Sequence, residues 1–175
     1  DGTTFTYTYD SKGNLLTAKD EKGRAITSTY SSKGELLTMS AMGVKELTIG
    51  YDSHGNPTSA TDSSGNTQKY AYSKKGELTS VTDSLGKVMS MTYDSKGQVA
   101  SITNADGMVT NFTYDSKGRL ATRTITYQGS TRTDKYSYDN SNRVKKIDYA
   151  DGGYATYVYN QAGDVTSATD SQGRT

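Results

Sequence analysis

Tyr9-Asp10-Ser11-Lys12-Gly13 recurs as Tyr93-Asp94-Ser95-Lys96-Gly97 and as Tyr114-Asp115-Ser116-Lys117-Gly118. Looser copies begin at Tyr30, Tyr51, Tyr72, Tyr138 and Tyr159. The first six of these tyrosines stand 21 residues apart, the next gap is 24, and the last is 21 again. A near-fixed period of this kind marks a repeat architecture, and it outweighs every other cue in the chain.

Each period carries two chain reversals. In Tyr-Asp-x-x-Gly the aspartate can bond its own downstream backbone, and the glycine supplies the positive φ that closes a type I turn with a bulge. About ten residues later comes a second signal: Asp20-Glu21-Lys22-Gly23, Asp62-Ser63-Ser64-Gly65, Asp83-Ser84-Leu85-Gly86, Asn104-Ala105-Asp106-Gly107 and Asp170-Ser171-Gln172-Gly173. Between reversals lie six or seven residues rich in Thr, Tyr, Val, Leu and Ile, which is strand length and strand composition. The expectation is an all-β chain: one array of about eight antiparallel β-hairpins over residues 1–175, about 21 residues each, joined into a curved or spiralling strip. The frequent glycines would break a helix.

Positions within the period are specialised. Two residues before the key tyrosine stand Tyr7, Ser28, Ile49, Tyr70, Met91, Phe112, Tyr136 and Tyr157, which share its face of the strand. Six residues after it stand Leu15, Leu36, Pro57, Leu78, Val99, Leu120, Val144 and Val165. Nine after it stand Ala18, Met39, Ala60, Val81, Ile102, Arg123, Ile147 and Ala168. Offsets six and nine differ in parity, so strict alternation puts them on opposite faces and a bulge puts them on one; both arrangements are compatible with the sequence.

Irregularities are few. Ser40-Ala41-Met42-Gly43 replaces an acidic second turn one residue early, and the strand after it is one longer. Residues 125–133 carry three extra residues, expected to lengthen one hairpin around Gln128-Gly129-Ser130. Pro57 lacks a ladder donor, so its strand is expected to fray or bulge. Asn142 takes the place of a turn glycine, which its tolerance of left-handed backbone permits.

Leu, Ile, Val and Phe make up only 23 of 175 residues, a level usual in disordered chains. The net charge of +1 and the 15 tyrosines argue for order nonetheless. Such a chain can build a sheet with an aromatic face but not a thick core, so that face needs cover. There is no cysteine and no apolar run long enough for a spanning helix. Asp1-Gly2 looks like the tail of a second turn, and Gln172 to Thr175 stop in nearly the same phase. The chain therefore reads as a segment of a longer array, with any export signal outside it.

The run Tyr114-Asp115-Ser116-Lys117-Gly118-Arg119-Leu120 closely resembles the YD-repeat, or RHS-repeat, family, and the resemblance covers essentially the whole chain. That family includes bacterial RHS proteins, wall-associated polymorphic toxins, shell-forming components of insecticidal toxin complexes, and teneurins. The resemblance implies a hairpin strip that winds into a hollow shell or tube, secreted or at the cell surface. Its partners would be other repeats of the same or a neighbouring chain and an enclosed polypeptide cargo. Bacterial members typically close the shell with a Pro- and Asp-containing motif, and with Pro57 as the lone proline that motif is absent from this segment.

The expected site residues are architectural: Tyr9, Tyr30, Tyr51, Tyr72, Tyr93, Tyr114, Tyr138 and Tyr159 as a stacked ladder, with turn glycines Gly13, Gly34, Gly55, Gly76, Gly97, Gly118 and Gly163. Catalysis is not expected. His54, the single histidine, sits at a turn, and there is neither a cysteine nucleophile nor a phosphate loop. No cofactor or metal is expected: the aspartate spacing fits turns and matches neither calcium-loop pattern. Lys12, Lys33, Lys75, Lys96 and Lys117 should line one rim, offset by Asp10, Asp52, Asp94 and Asp115. The near-zero net charge argues against nucleic acid. The tyrosine ladder leaves a second reading, a surface module that binds a glycan or a partner.

Overall fold

In a computed structural model, residues 4–175 are described, and they contain sixteen strands and no helix. The expected turn remnant at Asp1-Gly2 lies outside the described residues. The chain divides into two compact units, Asp1–Val88 and Met89–Thr175.

The first unit holds β1 (Phe5–Tyr9), β2 (Leu15–Asp20), β3 (Ala25–Tyr30), β4 (Leu36–Ala41), β5 (Val44–Tyr51), β6 (Pro57–Asp62), β7 (Thr67–Tyr72) and β8 (Leu78–Thr82). The second holds β9 (Val88–Tyr93), β10 (Val99–Thr103), β11 (Val109–Tyr114), β12 (Leu120–Tyr127), β13 (Ser130–Tyr138), β14 (Val144–Asp148), β15 (Tyr154–Tyr159) and β16 (Val165–Asp170). In each unit every strand pairs antiparallel with its immediate successor, so all pairing is local in the chain.

The register resolves which residues share a face. In the first hairpin Tyr9 opposes Leu15, Thr8 opposes Thr17 and Tyr7 opposes Ala18, leaving Leu16 as a bulge. The same one-residue shift occurs in all eight hairpins, seven residues after each key tyrosine. The bulge restores parity, so offsets six and nine both lie on the tyrosine's face. Pro57 is thus not a special defect of pairing: it opens β6 opposite Tyr51, and the bulge beside it is common to every hairpin. A first strand position tolerates proline because its missing donor falls at the ladder's end.

The other face is hydroxyl-rich. Thr8 meets Thr17 at 2.6 Å, Thr29 meets Thr38 at 2.7 Å, Thr92 meets Ser101 at 2.7 Å and Thr113 meets Thr122 at 2.7 Å, oxygen to oxygen. Two hairpins depart from the acidic second turn. Met42-Gly43 and Gln128-Gly129 are two-residue reversals with positive φ at both positions, the type I′ geometry that matches strand twist. The extra residues of the second one extend β12 and β13, as their position in the sequence implies.

Among the described residues no hydrophobic side chain is buried. The sheet is one layer thick, and its Tyr, Leu, Val and Ile side chains are mostly half-exposed on a single face. Within each unit, among the described residues, a hairpin gains contacts only from its neighbours, so stability is a sum of hairpin and nearest-neighbour terms.

Candidate functional site

The features that recur in register are ties between hairpins. The key tyrosine closes its own hairpin and reaches back across the preceding one. The Tyr30 hydroxyl donates to the Leu15 carbonyl at 3.0 Å, Tyr51 to Leu36 at 3.0 Å, Tyr114 to Val99 at 2.8 Å, Tyr138 to Leu120 at 2.8 Å and Tyr159 to Val144 at 2.7 Å. Each acceptor belongs to the Leu/Val position six residues after the previous tyrosine, so the two most constant apolar positions of the period are bonded to each other. Burial pushes the Tyr114 and Tyr138 phenols up, which keeps both as donors. Guanidinium groups of Arg119 and Arg143 cover the Tyr138 and Tyr159 rings at 4.4 and 4.6 Å.

The turn aspartates clamp their own loops. In the Asp115 turn, Oδ1 accepts from the Lys117 and Arg119 backbone N–H groups, each at 2.9 Å, while Oδ2 accepts from Arg119 Nε at 2.7 Å. Asp10, Asp20, Asp52, Asp62, Asp139 and Asp170 repeat this pattern.

The partner four residues on is invisible in the tyrosine and glycine pattern, yet it obeys a rule. Where aspartate opens these turns, the partner side chain is Asn14, Arg24, Asn56, Asn66, Arg119, Arg143 or Arg174, each a donor. Where serine opens it, the partner is an acceptor: Ser31 donates to Glu35 at 2.7 Å and Ser73 to Glu77 at 2.8 Å. Asn160 donates to Asp164 at 2.9 Å. Donor and acceptor change places together.

Neighbouring first turns are also laced. Lys12 Nζ donates to the Ser32 carbonyl, and Lys33 Nζ to Ser53 at 2.8 Å. Gln98 donates to the Gly118 carbonyl at 2.8 Å, Arg119 to Asn142 at 2.8 Å and Arg143 to the Asn160 carbonyl at 3.1 Å. The lysine rim is therefore partly a set of fasteners.

The expected turn glycines Gly13, Gly34, Gly55, Gly76, Gly97, Gly118 and Gly163 all have positive φ, and Asn142 stands in for one at φ 63°. His54 is exposed in its turn, its Nδ1 3.4 Å from Ser53 Oγ. The aspartates face backbone amides and partner side chains rather than one another. No group of three or more candidate metal ligands occurs among the described residues.

The matching family models are the teneurin YD-shell, over residues 80–174, and the RHS repeat, over residues 51–88. The chain belongs to the YD-shell family of RHS-type repeats. Its fold is similar to part of the TcdB2-TccC3 structure with Cdc42, at 21% identity and TM-score 0.75, covering 91% of this chain and 10% of that one. It is similar also to TcdB2-TccC3 without its hypervariable C-terminal region, at 20% identity and TM-score 0.76, covering 97% and 10%. The Tc holotoxin pore of Photorhabdus luminescens aligns at 19% identity and TM-score 0.68, covering 95% of this chain and 12% of that one. The chain thus spans about a tenth of the solved chains it resembles. No curated protein matches it.

Proposed function

We propose that this chain is a length of wall in a secreted, toxin-type or cell-surface shell, and that its work is structural rather than catalytic. One observation carries the reading: a bulge in every hairpin gathers the apolar side chains onto one face of a single-layer sheet, where none of them is buried among the described residues. An apolar face of that extent is unfavourable in water and needs a second surface against it. A strip that winds on itself supplies that surface, with the threonine face outward. An enclosed polypeptide is the cargo that such a wall suits. In this reading the eight tyrosines and the turn glycines are the joints of the wall.

Membership of the YD-shell family supports the structural role. The test is electron microscopy of the full-length parent, combined with limited proteolysis. A closed shell whose contents resist protease while the wall is intact is the expected result. Open strips, or contents cut as fast as in a denatured control, would overturn it. A continuous tube would replace the capsule with a filament while retaining the wall.

A further inference from the structure

The chain's only proline and only histidine stand three residues apart, at Pro57 and His54, and both fall at the junction between the β5–β6 and β7–β8 hairpins. Two ties found at sister junctions of the first unit are missing there. Tyr72 should donate to the carbonyl of Pro57, but its hydroxyl makes no hydrogen bond among the described residues. His54 stands where Lys12 and Lys33 reach the next turn, and its ring is too short to do so. No side chain of the preceding turn lies against Gly76, whereas Asn14 lies against Gly34 and Glu35 against Gly55. Between these two adjacent turns lies a groove of about 510 Å³. That volume is in the usual range for ligand sites, roughly 300–1,000 Å³.

The chemistry of the groove is one-sided. Lys74 and Lys75 line it, and neither ammonium has an ion pair or hydrogen bond among the described residues. Tyr72 offers a free phenolic donor, and burial, then the neighbouring Tyr70 and Asp52 charges, push its titration up so that the proton stays. His54, also in the lining, is exposed. The one lining carboxylate, Asp52, already accepts from the His54 and Asn56 backbones and from the Asn56 amide. The one lining carboxylate is engaged while two ammonium groups and a phenol are not, and Tyr70 and Tyr72 supply aromatic surface.

We propose that this groove is a binding site for an acidic saccharide, with Lys74 and Lys75 holding the carboxylate, Tyr72 donating to a ring hydroxyl and the tyrosine rings stacking on the sugar. Aromatic surface beside free donors favours a hydroxylated ring over an acidic peptide, whose backbone would need an open strand edge, and the strands here are paired on both sides.

The test is calorimetric titration with three probes: an oligogalacturonate tetramer, a neutral galactose tetramer and a tetraglutamate peptide. The galacturonate is expected to bind, with salt-sensitive affinity. Lys74→Gln with Lys75→Gln should weaken it at least about tenfold while leaving the melting temperature unchanged, since both side chains are exposed. Absence of galacturonate binding would overturn the proposal. So would equal binding of the neutral tetramer or the peptide, or full affinity in the lysine double variant. The outcome is independent of whether the parent forms a shell.

Discussion

Tyr114→Phe and Tyr72→Phe remove the same atom from the same position of the period, and their costs should differ. The Tyr114 hydroxyl donates to the Val99 carbonyl at 2.8 Å, whereas that of Tyr72 has no hydrogen bond among the described residues. A neutral hydrogen bond contributes about 0.5–1.5 kcal/mol net, and leaving its buried acceptor unpaired costs toward the upper end. Both residues are half-exposed, so water can reach the Val99 carbonyl in the variant, and about 1 kcal/mol is the expected loss for Tyr114→Phe. The second unit spans residues 89–175, and for a cooperative unit of that size about 1 kcal/mol lowers the melting temperature by about 4–8 °C. Tyr72→Phe should shift it by less than about 1 °C, because only an unbonded hydroxyl is lost. Differential scanning calorimetry on the wild type and both variants measures the contrast directly. Equal shifts, or a larger one for Tyr72→Phe, would show that the hydroxyl-to-carbonyl bond does not join the hairpins.

Acid should loosen the array in one direction. Asp10, Asp52 and Asp62 are held below the ordinary 3.8 first by the amide side chain four residues on, and Asp115, Asp139 and Asp170 first by the arginine backbone N–H at that place. At Asp20 burial opposes the shift, but the Arg24 bonds prevail. Folded values below unfolded ones mean stability that is present above 3.8 and lost as pH falls through the folded values, so melting temperatures should be flat near neutrality and drop below pH 3.8. A drop beginning near pH 6 would point to a different group. Asp62→Ser alone should lower the melting temperature, and Asp62→Ser with Asn66→Glu should recover about half of the loss or more, because the pair then copies Ser73–Glu77; simple additivity in the double-mutant cycle would refute the clamp rule. Gly97→Val should cost about 1–2 kcal/mol, because Gly97 sits at φ 81° where a β-branched side chain is strained, while Lys96→Ala should stay within about 0.5 kcal/mol. Equal unfolding midpoints for those two variants would contradict the turn assignment.

The hairpin array was readable because its determinants are local. A glycine at φ 84° such as Gly13, an aspartate bonding two and four residues on, and a run of Thr, Tyr and Leu between them involve only residues close in sequence. The left-handed Asn142 was visible for the same reason. The i+4 clamp rule was also present in the letters, as Asp with Asn or Arg and Ser with Glu, but it becomes legible only when those atoms are seen in contact.

Three things needed the folded chain. The bulge seven residues after each tyrosine shifts the parity of everything beyond it, and alternation alone permits either face. The acceptors of the tyrosine hydroxyls lie 15 to 18 residues away in the chain, beyond any turn rule. The groove beside Tyr72 lies between two turns and has no signature within either, and His54 and Pro57 look harmless until the neighbouring junctions show what a tie is. Torsional preference and short-range bonding act within a few residues and so are written in the sequence; register and contact between hairpins are properties of two segments at once, and only their pairing in three dimensions sets them.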